Sequence, residues 1–189
     1  MTDTTTTETP TTHTTDTSPR IYVASLSDYN AGRLLGRWID ADQDAADIHA
    51  AIEAMLATSP EPIAEEWAIH DFEGFGGWRL SEYESIETVA TVASQIAEHG
   101  EFFGGLLNHC SDLAEALRYM EDGYRGEWES LTDYVETFID DVYGREIKAL
   151  PEIVRYHISY EGIARDFELS GDIFTIECGR KVHVFDSNI

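Results

Sequence analysis

The chain has 189 residues, and its 37 acidic against 12 basic residues give a formal net charge of −25. That excess opposes binding to DNA, RNA and anionic membranes, and it favours cations or basic protein surfaces as partners. A hydrophobic fraction of 42%, with 9 Tyr, 8 Phe and 4 Trp, excludes a wholly disordered acidic chain. The length suffices for one large domain or for two to three small ones.

The sequence predicts a cytoplasmic protein. Cys110 and Cys178 are too few for a disulfide framework, which favours a reducing compartment. No apolar run approaches the roughly 18 residues of a membrane span. The N-terminus lacks the basic and apolar regions of a signal peptide.

Residues 1–19 are rich in Thr and lack periodic apolar positions, so we predict a disordered tail. Residues 20–78 predict a small α+β module. Strands at 21–26 and 34–39 flank a turn centred on Asn30, Ala31 and Gly32. A helix starts near Asp42 and ends before Pro60, and a strand at 65–75 follows it.

Residues 79–123 predict a central helical module. Its first helix has Ser81 as a candidate N-cap and Gly100 as the C-cap. Glu84, Glu87 and Glu98 lie opposite its apolar face, which consists of Ile86, Val89, Ala90, Ala93, Ile96 and Ala97. A short segment at 101–110 leads to a second helix at 111–123, capped by Ser111 or Asp112 and ended by Gly123.

Residues 124–189 predict a second α+β module. It starts with an extended piece at 124–128 and a helix at 129–144, and Pro151 suits the first turn of a helix at 151–169. Strands at 172–178 and 181–186 form a hairpin around Gly179 and Arg180. This order of elements predicts an α+β fold of three small modules, not a wound parallel sheet.

The sequence contains no complete metal-binding or catalytic motif. Asp40, Asp42, Asp44 and Asp47 resemble the start of a calcium loop, but Ala45 stands where Gly is needed and Ala51 where the closing Glu belongs. We therefore interpret these aspartates as a helix N-terminus. The glycines at 74–77 lack phosphate-loop spacing, and the histidines outside the tail are scattered without ligand spacing. We predict no cofactor and no metal.

The distribution of acids is the most informative feature. The predicted helix at 129–144 carries five carboxylates and no basic residue. On its polar side, Glu129, Asp133, Glu136 and Asp140 follow one another at steps of four, three and four residues, and we call these four the acidic row. Residues 61–141 contain 20 acidic and three basic residues. Repeated rows of acids on a folded scaffold are similar in charge to the phosphates of a nucleic-acid duplex.

Three motifs give the chain a family resemblance. They are RIYVASLSDYNAGRLLGRWIDA at 20–41, EEWAIHDFEGFGG at 65–77 and EIVRYHISYEGIARDFELSGDIFTIE at 152–177. In this order, they resemble the ArdA antirestriction family over essentially the whole chain after the Thr-rich tail, which is the main departure. The resemblance implies a non-enzymatic, cytoplasmic protein encoded by mobile genetic elements.

The resemblance further implies an elongated homodimer of three-domain subunits that mimics bent B-form DNA. Such a dimer occupies the DNA-binding groove of type I restriction-modification enzymes, where it meets the methyltransferase core and the specificity subunit and blocks cleavage and often modification. The dimer contact is implied within 124–189, and antirestriction activity around 129–141. It also implies structural roles for Asn30, Gly32, Arg33, Trp38 and Trp67.

Combining this resemblance with the charge pattern, we predict a DNA-mimic acidic surface, hereafter the acidic surface. It comprises thirteen residues: Glu84, Glu87, Glu98, Glu101, Asp112, Glu115, Glu121, Asp122, Glu129, Asp133, Glu136, Asp140 and Asp141. Two alternatives stay open. A carboxylate- or metal-dependent hydrolase would need one or two irreplaceable acids, whereas a general acidic protein would bind basic partners without specificity.

Overall fold

The computed structural model describes residues 18–189 and has an α+β fold with two three-stranded antiparallel sheets and helices between them. This confirms the predicted fold class. The predicted tail at residues 1–17 lies outside the described residues. Pro19, also assigned to that tail, is instead buried, and its carbonyl oxygen accepts a hydrogen bond from the Ala41 N–H at 2.9 Å.

The N-terminal sheet has the strand order β2-β1-β3. Its elements are β1 (Arg20–Ser25), α1 (Leu26–Asn30), β2 (Gly36–Asp40), α2 (Ala45–Leu56) and β3 (Trp67–Glu73). The strands and α2 confirm the sequence prediction, whereas α1 was missed because five residues are too few to show helical periodicity. Gly32 has φ of 76°, a left-handed conformation that confirms the turn predicted there.

The central part contains α3 (Ile86–His99), α4 (Phe102–His109), α5 (Leu113–Arg118) and a π-helical turn (Tyr119–Gly123). Gly100 ends α3 as predicted, but its N-cap is Ser85, whose side chain accepts from the Thr88 N–H. The Ser81 prediction was therefore wrong by one turn. Ala97, predicted on the buried face, is exposed, since α3 buries Val92 beside Ala93 instead.

Helix α4 was not predicted. Two adjacent glycines obscured a helical spacing of buried side chains at Phe102, Phe103, Leu106 and Leu107. Gly104 is required there because a Cβ atom would overlap the carbonyl oxygens of Phe75 and Gly76. The close approach packs α4 against the loop after β3.

The C-terminal part contains β4 (Tyr124–Trp128), α6 (Leu131–Ala149), α7 (Glu152–Arg155), α8 (Tyr160–Ser170), β5 (Ile173–Cys178) and β6 (Lys181–Asp186). Its sheet has the order β4-β6-β5. The strands confirm the prediction, with Gly179 (φ 61°) in the hairpin turn. The single helix predicted at 151–169 is two helices, because Ser159 caps a new start by accepting from the Gly162 N–H at 3.1 Å.

Helix α6 begins two residues later than predicted, because Ser130 is its N-cap, and it ends five residues later than predicted. Its apolar stripe faces α8, where Val135, Ile139 and Ala164 form a small separate core. Val142 continues the helical spacing of that stripe, but its surface is 52% exposed because it lies beyond the contact with α8.

A second, larger core joins the two sheets through the helices. It includes Ile21 of β1, Val89 of α3, Phe103 of α4 and Phe185 of β6. The contiguous core therefore contains residues from all three predicted modules. The module boundaries at 78/79 and 123/124 stay predictions.

Candidate functional site

The predicted acidic surface is built mainly of solvent-exposed side chains. Eleven of its thirteen residues are exposed, and two, Glu84 and Glu115, are half-buried. Exposure alone does not separate acids that stabilise the fold from acids available to a partner. The hydrogen bonds and ion pairs of each residue distinguish the two groups.

Asp112 and Glu115 are part of a helix cap. The Glu115 N–H donates to Asp112 Oδ1 at 2.8 Å, and the Ser111 N–H donates to Glu115 Oε2 at 2.6 Å. This reciprocal arrangement satisfies N–H groups at the start of α5. The hydrogen bond from Ser111 holds the pKa of Glu115 below its usual value. Both acids therefore stabilise α5.

Two acids of α3 lie next to histidines. Glu87 Oε1 lies 3.4 Å from His49 Nε2, and Glu98 Oε2 lies 3.9 Å from His99 Nε2. Hydrogen bonds from the Glu87 backbone N–H and from His49 lower the pKa of Glu87. Each of these two acids is paired with a cation only when its neighbouring histidine is protonated.

The acidic row differs from its prediction at its first residue. Glu129 precedes α6, and its Oε1 accepts a hydrogen bond from Lys181 Nζ at 2.5 Å. Lys181 Nζ also lies 3.7 Å from Glu127 Oε1. The contact with Glu129 and, to a smaller extent, that with Glu127 raise the pKa of Lys181. Glu129 therefore has an internal cation from outside the helix, because the strand pairing of β4 with β6 brings Lys181 beside it.

Asp133 has a capping role as well as a place in the row. Ser130 Oγ donates to Asp133 Oδ2 at 2.6 Å, and the Asp133 N–H donates back to Ser130 Oγ at 3.2 Å. A carboxylate in the first turn of α6 also suits the positive end of the helix dipole. Neutralising Asp133 would therefore change the stability of the helix together with the surface charge.

The carboxylates of the other exposed acids of this surface have no partner in the described part of the chain. Within residues 18–189, six members of the acidic surface make neither an ion pair nor a side-chain hydrogen bond, and we call them the free acids: Glu101, Glu121, Asp122, Glu136, Asp140 and Asp141. They lie at the start of α4, on the π-helical turn and on α6. They are the part of the surface that can pair with cations of another molecule.

Asp28 is a buried acid that the sequence analysis missed. It accepts hydrogen bonds from Ser59 Oγ at 2.6 Å, Ser25 Oγ at 2.8 Å and Arg33 Nε at 3.1 Å. The hydrogen bond from Ser59 has the largest effect, and together these contacts lower the pKa of Asp28, although burial alone would raise it. Arg33 also pairs with Glu61. The network joins β1, α1 and the turn, which gives Arg33 a structural role.

Trp38 and Trp67 are half-buried strand residues, while Asn30 is exposed at the end of α1. Tyr22 packs edge-on against Trp38 with ring centroids 5.6 Å apart, and the Arg20 guanidinium lies 4.9 Å from the same ring. These contacts extend the β1–β2 sheet face and give Trp38 a packing role.

His183 lies at the junction of β4, β6 and α4. Its ring stacks on Phe102 with centroids 3.7 Å apart, and its Nδ1 lies 2.9 Å from the Tyr124 hydroxyl. Burial lowers the pKa of His183, although Glu127, 4.0 Å from Nε2, opposes that change. His183 therefore packs as a neutral side chain inside the C-terminal part.

The described part of the chain contains no cluster of side chains that would suit a metal site. Across residues 18–189, no three His, Cys, Asp or Glu side chains lie together in an arrangement that could hold a metal ion. Cys110 and Cys178 are free thiols, and burial raises the pKa of Cys110 to about 11. Among the described residues, no helix is both long enough and apolar enough to cross a bilayer.

The fold and this surface define an acidic α+β protein whose exposed carboxylates suit binding to basic molecules. The family model described as Antirestriction protein (ArdA) matches residues 21–182. The chain therefore belongs to the ArdA family, and this membership supports an antirestriction function and an interaction with restriction-modification enzymes. A search of curated proteins finds no match.

Proposed function

We propose that the chain is a DNA mimic that occupies the DNA-binding groove of type I restriction-modification enzymes in the cytoplasm. In this proposal it contacts the methyltransferase core and the specificity subunit, and it inhibits cleavage and modification without catalysing a reaction. The observation that carries the proposal is the set of free acids, which have no partner within residues 18–189.

The spacing of the acids on α6 suits this role. Asp133, Glu136 and Asp140 are separated by three and four residues, so they share one helix face. At 1.5 Å per residue, these steps advance about 4.5 and 6 Å along the axis. Phosphates along one DNA strand are about 3.4 Å apart along the axis, so these three acids present charges at about two-thirds of that density.

The rigidity of the surface also supports the proposal. Helix α6 is anchored by Val135, which is fully buried, and by Ile139, so its acids sit on an ordered element. A preformed surface loses little conformational entropy on binding. Anions held by a basic DNA-binding groove would be released, which favours association at low salt.

We further propose that the protein acts as a homodimer joined through its C-terminal part. The end of α6 and the segment through α7 expose several large apolar side chains: Val142, Tyr143, Leu150, Ile153, Val154 and Tyr156. Apolar surface of this kind is typical of an interface between protein chains. Sedimentation velocity tests it, and a monomer at the concentrations that inhibit the enzyme would contradict the dimer.

The stoichiometry of inhibition tests the mimic itself. A fixed amount of a type I enzyme is titrated with the protein and DNA cleavage is measured, while displacement of duplex DNA from the enzyme is measured separately without and with a chelator. A mimic inhibits in proportion to the number of DNA-binding sites on the enzyme. A chelator should leave its displacement of duplex DNA unchanged. Inhibition by a small fraction of an equivalent, increasing with incubation time, would indicate turnover and would support the hydrolase alternative.

A further inference from the structure

Lys181 is the only Lys or Arg within residues 18–189 that forms an ion pair with a member of the acidic surface. Its Nζ lies 2.5 Å from Glu129 Oε1 and 3.7 Å from Glu127 Oε1. Arg125, on the same sheet, pairs instead with Asp186 at 2.9 Å. The remaining ion pairs of arginines also involve acids outside the acidic surface.

The strand register fixes this contact. Strands β4 and β6 are antiparallel, with Trp128 opposite Val182 and Glu127 opposite His183. Lys181 starts β6 and therefore lies beside the segment that leads from β4 into α6. Its side chain is 39% exposed, and that of Glu129 is 71% exposed, so both can be reached by another molecule.

We propose that Lys181 is an internal competitor that weakens the binding of the acidic surface to its partner. This inference rests on the proposed function. While Lys181 pairs with Glu129 and Glu127, a basic residue of the partner must displace it before it can use those carboxylates. Lys181 also places a positive charge next to the acidic row, which repels the cations of the partner.

The test replaces Lys181 by Gln and measures the concentration of protein that displaces duplex DNA from a purified type I methyltransferase. Lys181→Gln is expected to inhibit at a concentration lower by about two- to fivefold, the range for one exposed ion pair. Lys181→Arg keeps the charge and the pairing, so it should inhibit like the parent. The gain should shrink at high salt because exposed charges are screened.

The neighbouring residue provides a matched control. Arg180 lies in the hairpin turn immediately before Lys181, and within the described residues it has no carboxylate within 4.0 Å. Arg180→Gln changes the net charge by the same amount as Lys181→Gln. If the two variants gain equally, net charge alone explains the effect and the inference is wrong.

A double-variant cycle tests the pairing itself. Glu129→Gln should change inhibition little in the parent, where Lys181 occupies that carboxylate, and should reverse much of the gain in the Lys181→Gln background. Equal effects of Glu129→Gln in the two backgrounds would overturn the inference. A parent that does not displace DNA would refute the proposed function and the inference with it, whereas a parent that displaces DNA with an unchanged Lys181→Gln variant would refute the inference alone.

Discussion

Neutralising three of the free acids on α6 is expected to weaken inhibition without unfolding the protein. The triple variant Glu136→Gln, Asp140→Asn and Asp141→Asn keeps the size of each side chain and removes three exposed charges. It spares Glu129, which pairs with Lys181, and Asp133, whose carboxylate accepts a hydrogen bond from the N-cap Ser130. The structure therefore favours this set over the original acidic row as a test of binding.

The magnitude follows from the exposure of these residues. An exposed ion pair contributes about 0.2–1 kcal/mol, and three such pairs correspond to a loss of about 3- to 150-fold in affinity. A single Glu136→Gln change should cost less than about fivefold by the same estimate. Glu136 and Asp140 are like charges one turn apart, so their neutralisation should leave the stability of α6 unchanged or slightly increased.

The assay is protection of DNA from a purified type I enzyme over a titration of each variant, with thermal unfolding as a check on folding. A control variant changes Glu161, Asp166 and Glu168 of α8 to their amides, which alters the net charge equally. The triple variant of α6 should lose inhibition and the control should not. Inhibition by the α6 variant at the parent concentration, or equal losses in both, would refute the assignment of α6 as a contact surface.

Four further substitutions test the scaffold. Ile139→Ala, in the small core between α6 and α8, should lower the free energy of unfolding by about 2–4 kcal/mol in urea denaturation. Gly104→Ala should lower the free energy of unfolding by about 2 kcal/mol or more, because the added Cβ overlaps the Phe75 carbonyl oxygen. Gly144→Ala should raise it by about 0.5–1 kcal/mol, because a Cβ at that position meets nothing within 4 Å. Because the pKa of His183 is lowered in the folded protein, the unfolded chain binds a proton at this histidine more readily. The free energy of unfolding should therefore fall as the pH drops below about 6.5, the ordinary pKa of histidine. A His183→Phe variant should lose this part of the pH dependence of stability.

The controls for these predictions are nearby substitutions. Thr137→Ala, exposed on α6, should change the free energy of unfolding by less than about 0.5 kcal/mol. His70→Gln, at an exposed position of β3, should keep the pH slope that His183 produces. A similar loss in Ile139→Ala and Thr137→Ala, a Gly104→Ala protein as stable as the parent, or an unchanged slope in His183→Phe would each contradict the packing described.

Local patterns were sufficient for most of the elements. Alternating apolar residues, turn glycines and helix caps predicted the strands of both sheets and the helices α2, α3 and α6, because these signals depend on neighbouring residues. Helix α4 was hidden by Gly104 and Gly105, whose low helix propensity is outweighed by burial of Phe102 and Phe103. Its existence depends on tertiary contacts that the local sequence does not contain.

The acidic surface was only partly predictable for the same reason. Exposure of Glu136 and Asp140 follows from helical periodicity, and the Asp112–Glu115 cap has a readable local signature. The pairing of Glu129 with Lys181, 52 residues away, depends on the register between β4 and β6. No spacing rule predicts which non-adjacent strands will pair, so the internal cation became visible only in the structure.

Competition with DNA across a range of salt concentrations tests the central claim most directly. A labelled duplex is bound to the methyltransferase core of a type I enzyme, and the protein is titrated in at several concentrations of NaCl between about 0.05 and 0.3 M, where electrostatic binding to DNA sites changes strongly. The mimic account predicts complete displacement of the duplex and an affinity that falls steeply with salt. A ternary complex that retains the duplex, or an affinity independent of salt, would contradict it.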